Sequence, residues 1–197
     1  FVYAGPQVET NRLTDVTVLP QFRGSEDRED ENFFISALRG GLTWDRVDDL
    51  VNPTQGWRFL QDIEWASSGL GSKVDYVKLT LEGRGYLSLA AYGVLAARLR
   101  GGGIAELENT QSIPIFKRFF AGGGNSVRGY PYEKLGPLDA QGNPIGGLTV
   151  VEGNLDWRFP IRKPLEGVVF FDFGNVYEKS YEILWTNLRY TTGAGLR

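Results

Sequence analysis

Three chemically versatile residues are missing from this sequence altogether: it contains no cysteine, no histidine and no methionine. Without cysteine there are no disulfides and no thiol chemistry, and without histidine there is no imidazole acid–base or metal chemistry. Ordinary zinc sites are excluded with them. Positive charge is also short. The formal net charge is −3 and the pI about 5.1, whereas a nucleic-acid partner calls for a basic face. No cofactor is expected. Long apolar runs are absent as well: the longest nearly apolar stretch, Leu87 to Ala97, is too short for a membrane-crossing helix, which needs roughly 18 residues or more. A β-barrel needs only about 9–11 residues per strand, so a membrane is not excluded. Phe1 follows no basic region or cleavage site, and the sequence stops at Gly195-Leu196-Arg197 inside an apparent strand. The expectation is a piece of a larger protein.

What is present is glycine, at 26 residues, and aromatics, at 13%. That pair suits β-structure with tight turns. The first residues predict one or two strands, around Val2-Tyr3 and Val16 to Leu19. Arg23 to Glu31 is a charge run and reads as a solvated loop tip. From Phe33 onward the alternation is clearer. Phe33 to Asp45, Trp57 to Trp65, Lys73 to Tyr86, Ala90 to Arg100, Leu148 to Phe159, Gly167 to Tyr177 and Leu188 to Arg197 are predicted strands. The clearest places Val151, Leu155, Trp157 and Phe159 on one face and Glu152, Asn154, Asp156 and Arg158 on the other. In the next, Val169, Phe171, Phe173 and Tyr177 share a face, with Asp172 and Phe170 opposite. Asp48 to Gly56, Ser67 to Ser72 and Pro160 to Glu166 read as turns. Asp48 and Asp49 are neighbours on an extended chain and point apart, which argues against a catalytic acid pair.

The fold class is therefore all-β and antiparallel, with about eight strands of roughly 9–14 residues. Alternation alone fits both a soluble sandwich and a membrane barrel. Three features favour the barrel. The strands are long enough to cross a bilayer when tilted. Aromatics stand near strand ends (Trp44, Trp57, Trp65, Tyr86, Trp157, Tyr177), as in an interfacial girdle. Short connections (Asp48–Gly56, Tyr86–Leu89, Pro160–Glu166) alternate with long ones (Arg23–Glu31, Gly101–Gly147). Arg39, Arg58, Lys78, Glu82, Arg84, Arg98, Arg100, Glu152 and Arg158 would then line the lumen.

The loop from about Gly101 to Gly147 holds the most unusual stretch, FFAGGGNSVRGY, from Phe119 to Tyr130. Gly122 to Gly124 make poor helix or strand. Phe116, Phe119, Phe120, Tyr130 and Tyr132 make the loop too aromatic to be disordered. It is expected to fold inward with Arg128 as its anchor. A phosphate-binding loop would need Gly-Lys-Ser/Thr opening a helix, and Val-Arg-Gly-Tyr-Pro stands here instead. No nucleophile elbow or spaced acid pair is present, so no enzyme is expected.

Residues Gly122, Gly123, Val127, Arg128, Gly129 and Tyr130 lie in a stretch that resembles the VRGF/VRGY signature of the outer-membrane assembly superfamily of BamA, TamA and FhaC. Phe170 to Tyr177 is similar to that superfamily's FxDxG strand, and Asn52 to Trp57 to its PTxG turn. The RFFAGGGNSVRGY form is most similar to the TamA branch. The resemblance covers roughly Phe33 to Arg197. It implies a sixteen-stranded barrel in the outer membrane of a Gram-negative cell, with POTRA domains before it, of which residues 1–197 would supply about half the strands. It further implies that Arg128 pairs with Asp172 of the FxDxG strand and with Asp156 on the preceding strand. Parity independently turns both acids inward. Arginine's rigid fork of donors suits carboxylates. The implied activity is assisting the insertion or translocation of β-barrel and autotransporter proteins. A BamA-type insertase, a two-partner secretion pore and a passive outer-membrane channel are the alternatives. Implied partners are outer-membrane lipid, client barrel or autotransporter proteins and, in the TamA branch, a periplasm-spanning inner-membrane protein of the TamB kind.

Overall fold

The computed structural model describes residues 1–12, 32–107, 110, 112–162 and 164–197. The expected strand at Val16–Leu19 and the charge run Arg23–Glu31 lie outside the described residues. Eight strands form one sheet: β1 (Val2–Arg12), β2 (Asn32–Asp45), β3 (Gly56–Ala66), β4 (Tyr76–Ser88), β5 (Val94–Glu106), β6 (Thr149–Arg162), β7 (Leu165–Tyr177) and β8 (Arg189–Leu196). Each pairs antiparallel with its neighbours in sequence, in the order β1 to β8. At about 3.4 Å per residue and a tilt near 45°, a strand of about 13 residues covers about 30 Å of height, the thickness of a bilayer's hydrocarbon core. Among the described residues no helix is long and apolar enough to cross a membrane, and in this architecture the strands do so.

The two faces of the sheet differ as alternation demands. Trp44, Trp57, Ile63, Trp65, Leu81, Leu99, Leu155, Trp157, Val169 and Phe171 are outward and exposed. Near the short turns, Trp44 meets Trp57 edge-on at 5.3 Å and Trp157 lies 5.1 Å from Phe159. The inner face carries a ladder of ion pairs: Arg39–Asp62 at 3.0 Å, Arg84–Glu82 at 2.6 Å, Arg98–Glu82 at 2.8 Å and Arg100–Glu152 at 2.8 Å. Arg58 pairs with Asp45 on the same face. The buried core lies between this inner face and the loop that follows β5. It includes Ile35, Tyr76, Ile104, Phe119, Ala121, Val127, Leu135, Val150 and Val176.

Several boundaries differ from the sequence reading. β5 does not end at Arg100 but runs through the glycines to Glu106, so the loop spans 107–148. Those glycines serve neighbours. A Cβ at Gly102 would lie 2.6 Å from the Phe119 ring, and one at Gly103 would lie 2.9 Å from the Tyr181 ring. The return strand begins at Val94 rather than Ala90, because residues 90–92 form a tight turn in which Ala90 takes a left-handed φ of 53°. Strands β6 and β7 pair through Pro160 and Glu166, with a register irregularity between Pro160 and Arg162, so the predicted turn is far shorter. Tyr86 does not join the girdle. Its parity is that of Arg84, and it borders an inner cleft of about 460 Å³ with Arg84, Arg98 and Arg158. Tyr177 faces outward but is buried.

Candidate functional site

The loop enters the concavity of the sheet and folds back on itself before it reaches the wall. Gly122 sits at φ +106° and Gly129 at φ +88°, conformations that cost other residues about 1–2 kcal/mol. These two positions let the bow between them close. Gly123 N–H donates to the Tyr130 carbonyl at 3.1 Å, and Gly122 N–H donates to Ser126 Oγ at 2.8 Å. At the apex stand Val127 and Arg128. Val127 is fully buried against Gly174 of β7, where an added Cβ would lie 2.9 Å from Val127 Cγ2. The glycine of the FDFG stretch is thus the hollow into which the loop's valine fits.

Arg128 makes the densest polar contact of the site. Its Nε donates to Asp172 Oδ2 at 2.7 Å and one terminal nitrogen to Asp172 Oδ1 at 2.6 Å. The same nitrogen donates to Asp156 Oδ1 at 2.5 Å. The Arg128 backbone N–H also donates to Asp172 Oδ2, at 3.0 Å. Asp172 is fully buried, so this fork satisfies a carboxylate that has no water to turn to. The guanidinium carbon lies 3.7 Å from the centre of the Phe170 ring, a stacked cation–π contact. Hydrogen bonding to Asp172 holds the Arg128 pKa above its already high value, so its charge is permanent. Tyr130 packs at the edge of the core; the ring on the guanidinium is that of Phe170.

The neighbouring wall residues also hold the loop. Asn154 Nδ2 donates to the Ser126 carbonyl at 2.6 Å, and Arg98 donates to the Asn125 carbonyl at 3.2 Å and to Asn154 Oδ1 at 3.1 Å. Ser126 Oγ donates to Glu152, a fully buried carboxylate that also accepts from Arg100.

A second clamp escaped the sequence reading. Lys117, near the root of the loop, donates to Glu64 Oε1 of β3 at 2.8 Å, and both side chains are only 7% exposed. Tyr76 of β4 donates its hydroxyl to the same oxygen. Lys78 of β4 donates to the Lys117 carbonyl at 2.7 Å and stands 4.5 Å from the Phe119 ring centre. The available signal was a lysine inside the apolar run IPIFKRFF, which must find a buried acid, and the inward parity of Glu64. Among the described residues no group of three or more acidic side chains could hold a metal ion.

Long tilted strands with an apolar outer face, an ion-paired inner face and a loop clamped inside define a stretch of outer-membrane β-barrel wall with a seated lumenal loop. The chain belongs to the Omp85 superfamily, whose domain profile matches residues 3–197. It is 36% identical over 177 residues to the outer membrane protein assembly factor BamA of Nitratidesulfovibrio vulgaris, a match that covers 87% of this chain and 22% of that protein. It is 33% identical over 114 residues to a SAM50-like protein of Drosophila melanogaster, covering 58% of this chain and 25% of that one. The fold is similar to that of BamA from Haemophilus ducreyi lacking POTRA domains 1–3. The TM-score is 0.72 at 18% identity, over 92% of this chain and 39% of that chain. The chain thus spans a quarter or less of the length of these two sequence relatives. Its place is the outer membrane.

Proposed function

We propose that the intact protein is an outer-membrane protein assembly factor that inserts client β-barrel proteins, in the manner of a BamA-type insertase. The observation that carries this reading is the loop itself. Arg128 is seated on Asp172 and Asp156, in an Omp85-superfamily chain that is 36% identical to a protein named as an assembly factor. The work is non-covalent and needs no catalytic group. Every strand edge in lipid must be paired, so an assembly barrel acts by offering an edge to a client and disturbing the bilayer locally. The partners on this reading are outer-membrane lipid and client barrels.

The test is complementation. Cells depleted of the native protein receive the full-length gene or its Arg128→Ala form, and the heat-modifiable, folded fraction of outer-membrane barrels is followed. The wild-type gene is expected to restore it, and Arg128→Ala to restore less while loop protease protection falls. Unchanged protection together with unchanged restoration refutes the anchoring role. A large, steady single-channel conductance from the purified protein argues instead for a passive channel.

A narrower reading has one observation in its favour. The RFFAGGGNSVRGY form of the loop suits the TamA branch, whose clients would be autotransporters and whose partner would be a periplasm-spanning protein of the TamB kind. Deletion separates the two. General loss of barrel assembly supports the insertase, and loss confined to autotransporter display supports the TamA-like role.

A further inference from the structure

The connection between β7 and β8, residues 178–188, lies outside the barrel. Three outward-facing positions at the loop end of the wall are covered by it. Gly103, whose parity is that of Gly101 opposite the lipid-facing Leu81, has the Tyr181 ring where its Cβ would be. Thr149, two residues from Val151, is buried and donates its hydroxyl to the Lys179 carbonyl at 2.8 Å. Tyr177 is buried and donates its hydroxyl to the Leu184 carbonyl at 3.0 Å. Ser180 ties the segment to the Ile104 carbonyl at 2.5 Å. The segment is therefore bonded onto the outer face of β5, β6 and β7.

It exposes several large apolar side chains. Tyr181 is 62% exposed, Leu184 43% and Trp185 65%. That surface adjoins the lipid-facing belt across two outward polar residues that bond to the segment, Thr149 and Asn175, the second donating to the Asn187 carbonyl at 2.8 Å. On β6 the outward positions from Val151 to Ile161 form an apolar band about 25 Å tall once tilt is allowed for, and the segment covers the next outward position above it, Thr149. The charged residues Glu178, Lys179 and Glu182 lie around Tyr181 in the first half of the segment, with Lys179 and Glu182 3.9 Å apart. An apolar tip with leucine and tryptophan, a charged half that carries a tyrosine and a position at the upper edge of the band fit one environment: the boundary between headgroups and acyl chains.

We propose that residues 178–188 are a strap that binds the lipid surface of the outer leaflet, with Trp185 and Leu184 inserted at the headgroup–acyl boundary. The strap would fix the height of this side of the barrel in the membrane and shield β5 to β7 from lipid where the wall is thinned by glycine.

Spin labels test this in the full-length protein reconstituted into phospholipid vesicles, any cysteine outside this chain being replaced. Labels are placed at Trp185→Cys and Leu184→Cys, with Leu99→Cys as the lipid reference and Gln141→Cys as the aqueous one. Heat-modifiability selects folded barrels. At 184 and 185, collisions with oxygen are expected to exceed those with a water-soluble nickel chelate, at a depth shallower than 99. If the chelate dominates at both sites while 99 reads as lipid, the strap is overturned. Low accessibility to both agents there means a protein surface covers the segment, and this also overturns it. A chelate-dominated signal at 99 overturns the barrel topology along with it.

Discussion

Two clamps hold the same loop, and they are built differently. At the root, Lys117 and Glu64 form a buried ion pair with Tyr76 as its support. At the apex, Arg128 reaches two acids on two strands and is backed by its own backbone N–H and by the Phe170 ring. The root clamp ties the loop to β3 and β4; the apical one ties it to β6 and β7. The difference teaches that a point contact suffices where the chain has just left the wall, whereas the far end of a long loop needs a fork that fixes orientation as well as position. Lysine is a point charge on a flexible stem and arginine a planar fork.

The largest effect is expected at the apex. Asp172→Ala leaves Arg128 with Asp156 alone and strands its backbone N–H, and breaking a sheltered pair typically costs about 3–5 kcal/mol. Rapid protease cleavage between 119 and 135 in the full-length protein would register it, and protection equal to wild type would refute the apical clamp. Glu64→Gln comes next. It weakens the root by about 2–3 kcal/mol, since a charge-assisted bond is lost while Tyr76 keeps an acceptor. Hydrogen exchange is expected to rise at 112–120 before it rises at 122–130.

Combined variants sharpen the contrast. Replacing a buried ion pair by apolar side chains is often neutral or stabilising. Lys117→Met with Glu64→Leu, together with Tyr76→Phe to remove the hydroxyl that donates to Glu64, should therefore recover the protection lost in Glu64→Gln. Arg128→Met with Asp172→Leu should not, because the backbone N–H of residue 128 and the carboxylate of Asp156 stay without partners. Equal recovery in both would show the two clamps to be equivalent. Gly174→Ala is a milder probe of the apex alone. The new methyl would lie 2.7 Å from the Val151 carbonyl oxygen, and overpacking of this kind costs about 1–3 kcal/mol. The expected result is a lower melting temperature of the loop-protected state with the ion pairs intact.

The smallest effect lies at the opposite end of the wall. Asp48 accepts from the Thr54 hydroxyl at 2.5 Å and from the Gln55 and Thr54 amides at 3.0 and 2.9 Å, which hold its carboxyl below the usual range. A lowered folded pKa means the turn's extra stability is present above the ordinary aspartate value of about 3.9 and fades as pH falls below it. At neutral pH, Asp48→Asn is expected to speed exchange only in residues 46–55, and the gap from wild type to narrow in acid. A change extending into the loop would mean that the two ends of the wall are coupled.

The strands and their facing were legible because period-two alternation is enforced twice here, by lipid on one side and by the ion-paired lumen on the other. Asp172 and Asp156 could be read as inward on parity alone. Positions where a side chain from elsewhere overrides the local pattern were not legible. Gly101 to Gly103 looked like the start of a loop, because the rings that need the space, Phe119 and Tyr181, come from distant segments. Tyr86 reads as a girdle residue by its place near a strand end, but its parity with Arg84 turns it into the lumen. The role of Lys117 is not legible locally, because its partner is 53 residues away in sequence.

The loop's bonds have a mechanical meaning. It is fastened at one end to β3 and β4 and at the other to β6 and β7, with β5 spanned between them. Shear between these strands would have to stretch charge-assisted bonds at two separate places. The five strands therefore behave as a braced panel, stiff in its own plane. A change in the curvature of this sheet therefore falls on the strands that neither clamp holds, β1, β2 and β8.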